Sequence, residues 1–280
     1  MDSQLNTRTI VKVVSASSTQ DGAGVKLKRV IGQSALRHLD PFLMLDEFGA
    51  DDPNDYLAGF PSHPHRGFQT VTYMLEGKMQ HKDSEGNHGV IEKGGIQWMN
   101  AGKGIIHEEM PQHSDKPLHG FQLWVNLPAS EKMSPPDYQD IQADQVPVII
   151  NANTEVKLLA GHYLGQTGPV STQTVEPLFL DITFNDDDEI TIPLPSEHNG
   201  FVYCYQQQVE ISGQPFEKGQ LAVLSNGQRV VIKGGSNAKC IVVAAAPLNE
   251  PIVQYGPFVM NTEAQIQQAI ADFQAGRLTI

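Results

Sequence analysis

Residues 60–77 read FPSHPHRGFQTVTYMLEG, and the reading of this stretch decides the fold. Its second half, from Phe68, is rich in Thr, Val and aromatics and ends at Gly77, which is the composition of a short strand. Just ahead of it, His63 and His65 stand one residue apart. Side chains alternate between faces along an extended chain, so two imidazoles at this spacing share a face. Pro64 favours extended geometry for His63 before it. Downstream, residues 94–111 read GGIQWMNAGKGIIHEEMP. Here His107 and Glu109 repeat the spacing after a Gly-rich turn, while Glu108 points the other way.

Strand-like runs of the same kind continue along the chain. TIVKVVSA, LHGFQLWVNLP, LFLDITF, GFVYCYQQQVEIS, QLAVLSN, QRVVIKG and KCIVVAAA are rich in Val, Ile, Thr and aromatics, with Gly, Pro, Asn or Asp between them. Many short strands with such punctuation predict β-sandwich or barrel domains. One helix is marked, in NTEAQIQQAIADFQAGR (261–277). Thr262 and Gln265 have the spacing of a capping box, Ile266, Ala269, Ile270 and Phe273 recur at helical intervals, and Gly276 stops the run. Residues 128–147, rich in Pro and charge, read as a linker between halves.

The two halves resemble each other. HRGF at 65–68 is matched by HNGF at 198–201, and EKGGIQWMNAG at 92–102 by EKGQLAVLSNG at 217–227. The shared order predicts two copies of one β unit. Of the four polar residues in the first copy, the second keeps only His198; Ser196, Ile232 and Gly234 stand opposite His63, His107 and Glu109.

The chain has 280 residues and a net charge of −13. An acidic body repels phosphate backbones, so direct nucleic-acid binding is disfavoured. No run reaches the roughly 20 apolar residues of a membrane span, and the N-terminus lacks a secretory pattern. A cytoplasmic location is therefore expected. Cys204 and Cys240 sit in strand contexts without the spacing of a metal or disulfide framework, and read as buried thiols. AGKG at 101–104 fails as a phosphate loop because Gly104 follows Lys103 where Ser or Thr is needed. NDDDE at 185–189 reads as a solvated turn. His81, His88, His113 and His119 read as surface or hydrogen-bonded residues. Trp98, Trp124, Phe68, Tyr73 and Met74 read as core.

Two strands that each offer an inward pair can converge on one point. Three imidazoles and a carboxylate suit a divalent ion such as Fe, Mn, Ni, Cu, Co or Zn, and leave coordination positions open. Gly59, His63, His65, Gly102, Gly104 and His107 follow the two-motif logic of cupins, although spacing and a missing Pro depart from it. More narrowly, DGAGVKLKRVIG (21–32), LDPFLMLDEF (39–48), the two histidine stretches, HGFQLWVNLP (119–128) with EKM (131–133), and EPIVQYGPFVMNT (250–262) resemble the pirin family over nearly the whole chain.

That resemblance implies an all-β bicupin of two β-barrel or jelly-roll-like domains with a C-terminal helix. Residues 1–135 would bind the metal, and residues 136–280 would lack the ligands and carry the helix. It implies His63, His65, His107 and Glu109 as ligands, with Fe(II) as the first expectation and Mn, Ni, Co, Cu or Zn as alternatives. It implies a dioxygenase acting on quercetin or a similar flavonol, with Glu109 accepting the substrate's hydroxyl proton. The other reading is a non-catalytic, metal- or redox-responsive regulator that binds a transcription factor or a metabolic enzyme. A monomer is expected. The carboxylate of the first cupin motif would fall at position 69 or 70, where this chain has Gln69 and Thr70. Gln69, where relatives carry Glu, is expected beside the ligands.

Overall fold

The computed structural model describes residues 6–50, 52–113, 117–171 and 174–280; residues 1–5, part of the N-terminus read as lacking a secretory pattern, lie outside them. It divides into two units. The first comprises Ser17–Ala143 with Leu248–Ile280. Its larger sheet has seven strands in the spatial order Asp137–Ile141, Ile96–Asn100, Phe68–Glu76, Leu118–Asn126, Phe42–Ala50, Val25–Ile31 and Ser17–Asp21. Its smaller sheet has four, in the order Phe60–His65, Ile105–Pro111, Lys78–Asp83 and His88–Glu92. All neighbours are antiparallel. Val25, Leu27 and Phe48 of the larger sheet pack on Met79 and Ile91 of the smaller, so the two sheets close over one core.

The second unit, built on Asp144–Pro247, takes the strand Ile10–Ser15. Its seven-stranded order is Ile10–Ser15, Gln220–Leu224, Asn199–Gln206, Lys239–Ala245, Leu178–Phe184, Thr154–Ala160 and Val148–Asn151. Its four-stranded order is Asp188–Pro193, Arg229–Gly234, Gln208–Ile211 and Gln214–Glu217. Apart from the outermost strand of the larger sheet, Asp137–Ile141 in one unit and Ile10–Ser15 in the other, this is strand for strand the order of the first unit, and the two EKG stretches precede equivalent strands. The internal repeat and the bicupin architecture expected from sequence are both present.

The interiors differ. In the first unit one register row crosses six strands as Arg29, Asp46, Gln122, Thr72, Gln97 and Asp140. In the second, the row on the same six strands reads Leu158, Leu180, Val242, Val202, Ala222 and Val13. Polar groups inside a protein are costly unless hydrogen-bonded, so the first row has to be partnered, whereas the second is ordinary core.

Three expectations are corrected. The division does not fall at residue 135. Ile10–Ser15 leaves the first half to pair with Gln220–Leu224, covering what would be a sheet edge. The helix, Glu263–Gln274, belongs to the first unit rather than the second. Its capping box at Thr262 and Gln265 forms as predicted, and Ile266 and Ala269 are buried with Phe258, Met260 and Leu278. Asp272 on the helix meets Arg66 Nη1 at 2.9 Å, directly after His65. Finally, the stretch 128–147 is more than a linker. It contains the strand Asp137–Ile141, and its Lys132 is buried, donating to Gly67 O, Asn126 Oδ1 and Val259 O at 2.7, 2.7 and 3.0 Å. Cys204 and Cys240 are buried thiols outside any disulfide, on neighbouring strands, as read from sequence. Among the described residues no helix is long and apolar enough to cross a membrane.

Candidate metal centre

His63 and His65 close the strand Phe60–His65, and His107 sits directly opposite His63 on Ile105–Pro111. His63 Nε2 lies 2.9 Å from His65 Nε2 and 3.0 Å from His107 Nε2. The three rings offer one nitrogen each within 4.8 Å of one another. His65 and His107 are buried, and His63 is half-buried at the opening.

The tautomers follow from the surroundings. His63 Nδ1 meets the Pro61 carbonyl at 2.8 Å, and a carbonyl only accepts, so Nδ1 carries the proton in the neutral ring. Its Nε2 then presents a lone pair to the other two rings. Burial first, and the neighbouring imidazoles second, hold His65 and His107 well below the ordinary histidine pKa. The Pro257 carbonyl pulls His65 weakly the other way without forming a well-aligned bond to its buried Nδ1. Three imidazoles with converging nitrogens, those of His65 and His107 held neutral by burial, form a donor set that fits a divalent cation, because metal ligands must be deprotonated.

Glu109 alternates onto the inward face with His107, as the spacing requires, but it stands outside the tight group of three. Its Oε1 is 2.7 Å from Thr72 Oγ1, and its Oε2 accepts from Gln122 Nε2 at 3.3 Å. Thr72 Oγ1 is also 2.6 Å from Gln122 Oε1. One hydroxyl has one proton. If Thr72 gives it to Gln122, the contact with Glu109 calls for a proton on the carboxyl. Burial likewise raises the Glu109 pKa, against the smaller opposing pulls of the Thr72 bond and His63. The carboxyl is thus set up to hold a proton as well as to release one.

His81 faces Glu109 across the ladder and is buried, with Nε2 2.9 Å from Asp140 Oδ2. Gln97 Nε2 donates to the other oxygen, Asp140 Oδ1, at 2.8 Å. The sequence reading of a hydrogen-bonded histidine holds, yet it gave no hint that His81 adjoins Glu109. Thr72, Gln122, Gln97 and Asp140 were missed altogether. The available signal was a polar residue at an inward position of an apolar strand, as in FQTVTYML and GFQLWVN.

A cavity of about 760 Å³ opens on His63, His65 and Glu109. Trp124, expected in the core, is only half-buried and lines this cavity, its ring edge-on to His65 at 5.3 Å. Trp98, Phe68, Tyr73 and Met74 are core, as expected. Gln69 does not face the three histidines. It is buried on the face of Phe68–Glu76 opposite Thr72, because adjacent strand positions alternate.

The chain matches the Pirin family model over residues 24–125 and the Pirin C-terminal cupin domain over residues 179–279. A pirin-like protein of Caulobacter vibrioides is 43% identical across 96% of this chain and 99% of its own. Human pirin is 40% identical across 96% of this chain and 93% of its own. The structure of a quercetin 2,3-dioxygenase from Acinetobacter baumannii superposes with a TM-score of 0.89 at 33% identity, covering 97% of this chain and 98% of that one.

Proposed function

This chain belongs to the pirin family, and from that premise we propose that it is a metal-dependent dioxygenase acting on quercetin or a similar flavonol, with Fe(II) as its ion. The observation that carries the reading is the convergence of three imidazole nitrogens beside a cavity large enough for a three-ring aromatic, which His63 and His65 line. His63, His65 and His107 would hold the ion, with Glu109 as the fourth ligand. The ion, when bound, supplies Lewis acidity toward a substrate hydroxyl and redox chemistry toward dioxygen.

The protein's own groups have separate tasks. Glu109 takes the proton of the flavonol's enolic hydroxyl, a role that suits a carboxyl whose pKa is raised by burial. Thr72 and Gln122 hold that carboxyl in place and accommodate both of its protonation states. Trp124 and the apolar cavity wall exclude water from the substrate's ring faces. The reaction adds both atoms of dioxygen to the flavonol and yields a depside and carbon monoxide.

The test is direct. Iron-loaded protein mixed with quercetin in air is expected to bleach the flavonol's visible absorbance, and His107→Ala to abolish the bleaching. No turnover with Fe, Mn, Ni, Co or Cu overturns the reading.

A further inference from the structure

The polar row does not stop at the metal centre. From Thr72, which holds Glu109, it continues through Gln122 and Asp46 to Arg29, and the last three line the cavity. By ordinary strand spacing, the row from Thr72 to Arg29 spans about 14 Å, comparable with an extended three-ring aromatic. Apolar rails flank it. Trp124 and Met44 pair on one side, and Phe48 and Leu27 on the other. Gly120 makes room for one rail, since a Cβ there would stand 2.6 Å from Phe48 Cζ.

At the far end Arg29 forks onto Asp46, Nε to Oδ1 at 2.9 Å and Nη2 to Oδ2 at 2.7 Å, and Nη2 also reaches Asp21 Oδ2 at 2.8 Å. Its Nη1 has no acceptor among the described residues. The cavity is therefore apolar along its rails and carries, remote from the histidines, a paired carboxylate with acceptor capacity and a guanidinium with donor capacity. Asp21 and Asp46 are balanced by Arg29 and by the exposed Arg37 at the rim, so the wall offers directional hydrogen bonds rather than a net field.

On the premise that the cavity takes a flavonol-type substrate, we propose that the Arg29–Asp46 pair is a specificity-determining subsite for hydroxyl groups on the ring remote from the metal. One hydroxyl donates to the Asp46 carboxylate, and a neighbouring hydroxyl oxygen accepts from Arg29 Nη1. Vicinal hydroxyls satisfy both groups; an unsubstituted ring leaves both unpartnered.

Binding separates this from catalysis. Zn(II)-loaded protein, without oxygen, is titrated with quercetin, kaempferol and galangin, which carry two, one and no hydroxyls on the pendant ring, following tryptophan fluorescence. Quercetin is expected to bind about tenfold more tightly than galangin, as a bond to a charged partner implies. The double variant Arg29→Leu/Asp46→Leu removes the pair without stranding a buried charge, and should bring the preference to within about twofold while leaving galangin unaffected. Asp46→Asn, a milder change, should lower the preference severalfold and covers the case in which the double variant does not fold. Equal affinities in the unmodified protein, or a full preference in either variant, overturn the subsite alone. Failure of all three flavonols to bind overturns the flavonol reading and the subsite with it.

Discussion

His81 Nε2 lies 2.9 Å from Asp140 Oδ2, and the space for that bond exists because residue 89 has no side chain. Gly89 faces His81 across the ladder, and a Cβ there would stand 2.6 Å from His81 Nε2 and 3.0 Å from Asp140 Oδ2. The pair in turn sits against Glu109. A glycine on an outer strand of the smaller sheet is thereby tied to the packing of the candidate metal centre.

Gly89→Ala is expected to push the His81 ring off Asp140 and to destabilise the protein by about 1–3 kcal/mol, the usual cost of overpacking. For a chain of this size that is a fall in Tm of several degrees, read by thermal denaturation. An unchanged Tm would show that the ring moves aside freely.

Metal content is the second measurement. The protein as purified should hold close to one divalent ion per chain, and His63→Ala or His107→Ala less than a tenth of that by elemental analysis. A chelator should lower the Tm, and readdition of the ion should restore it. An ion at a thousandfold excess over its Kd stabilises the folded state by about 4 kcal/mol.

The metal-free protein should lose stability in acid. Burial and neighbouring imidazoles keep His65 and His107 neutral in the folded state. As pH falls below about 6.5 the unfolded chain takes up those two protons first, so stability drops by at most about 2.7 kcal/mol per pH unit. Glu109 acts in the opposite sense, since its raised pKa lets the folded state bind a proton before the unfolded chain does. One proton against two leaves a net loss. Tm measured with chelator at pH 7.5, 6.5 and 5.5 should fall steadily, and a flat profile would contradict the neutral-imidazole assignment.

The second unit supplies a contrast. Val242 lies in its apolar row between Leu180 and Val202, and is fully buried. Val242→Gln places an amide where no polar neighbour lies on that row. It should cost roughly 2–5 kcal/mol by overpacking and an unmet polar group, and lower soluble yield without changing metal content. A neutral effect on Tm would mean that the row tolerates polarity.

Much of the site was legible because its rule is local. Alternation along a strand puts His63 with His65 and His107 with Glu109, and no tertiary information is needed to see it. What alternation could not give is the register between strands. A bulge makes His107 face His63 while Glu109 faces Phe60, which helps explain why the carboxyl stands apart from the three rings. Thr72, Gln122 and Asp140 meet the site across strands far apart in sequence. Composition misled in one place. Pro and charge around Asp137–Ile141 read as linker because that strand lies at the edge of its sheet, where polar residues are tolerated. The terminal helix was correctly delimited, but its unit was not, because amphipathicity says that a face is buried and not against what.

The contrast between the two six-strand rows implies a division of labour open to genetic test. In a library of random substitutions, inward changes along the row that includes Asp46, Gln122 and Thr72 should be recovered mainly as well-expressed but inactive or altered proteins. Changes along the row that includes Leu180, Val242 and Val202 should be recovered as scarce proteins with normal turnover per molecule. Selection for new chemistry could then proceed in one half of the chain while the other remains under selection for folding alone.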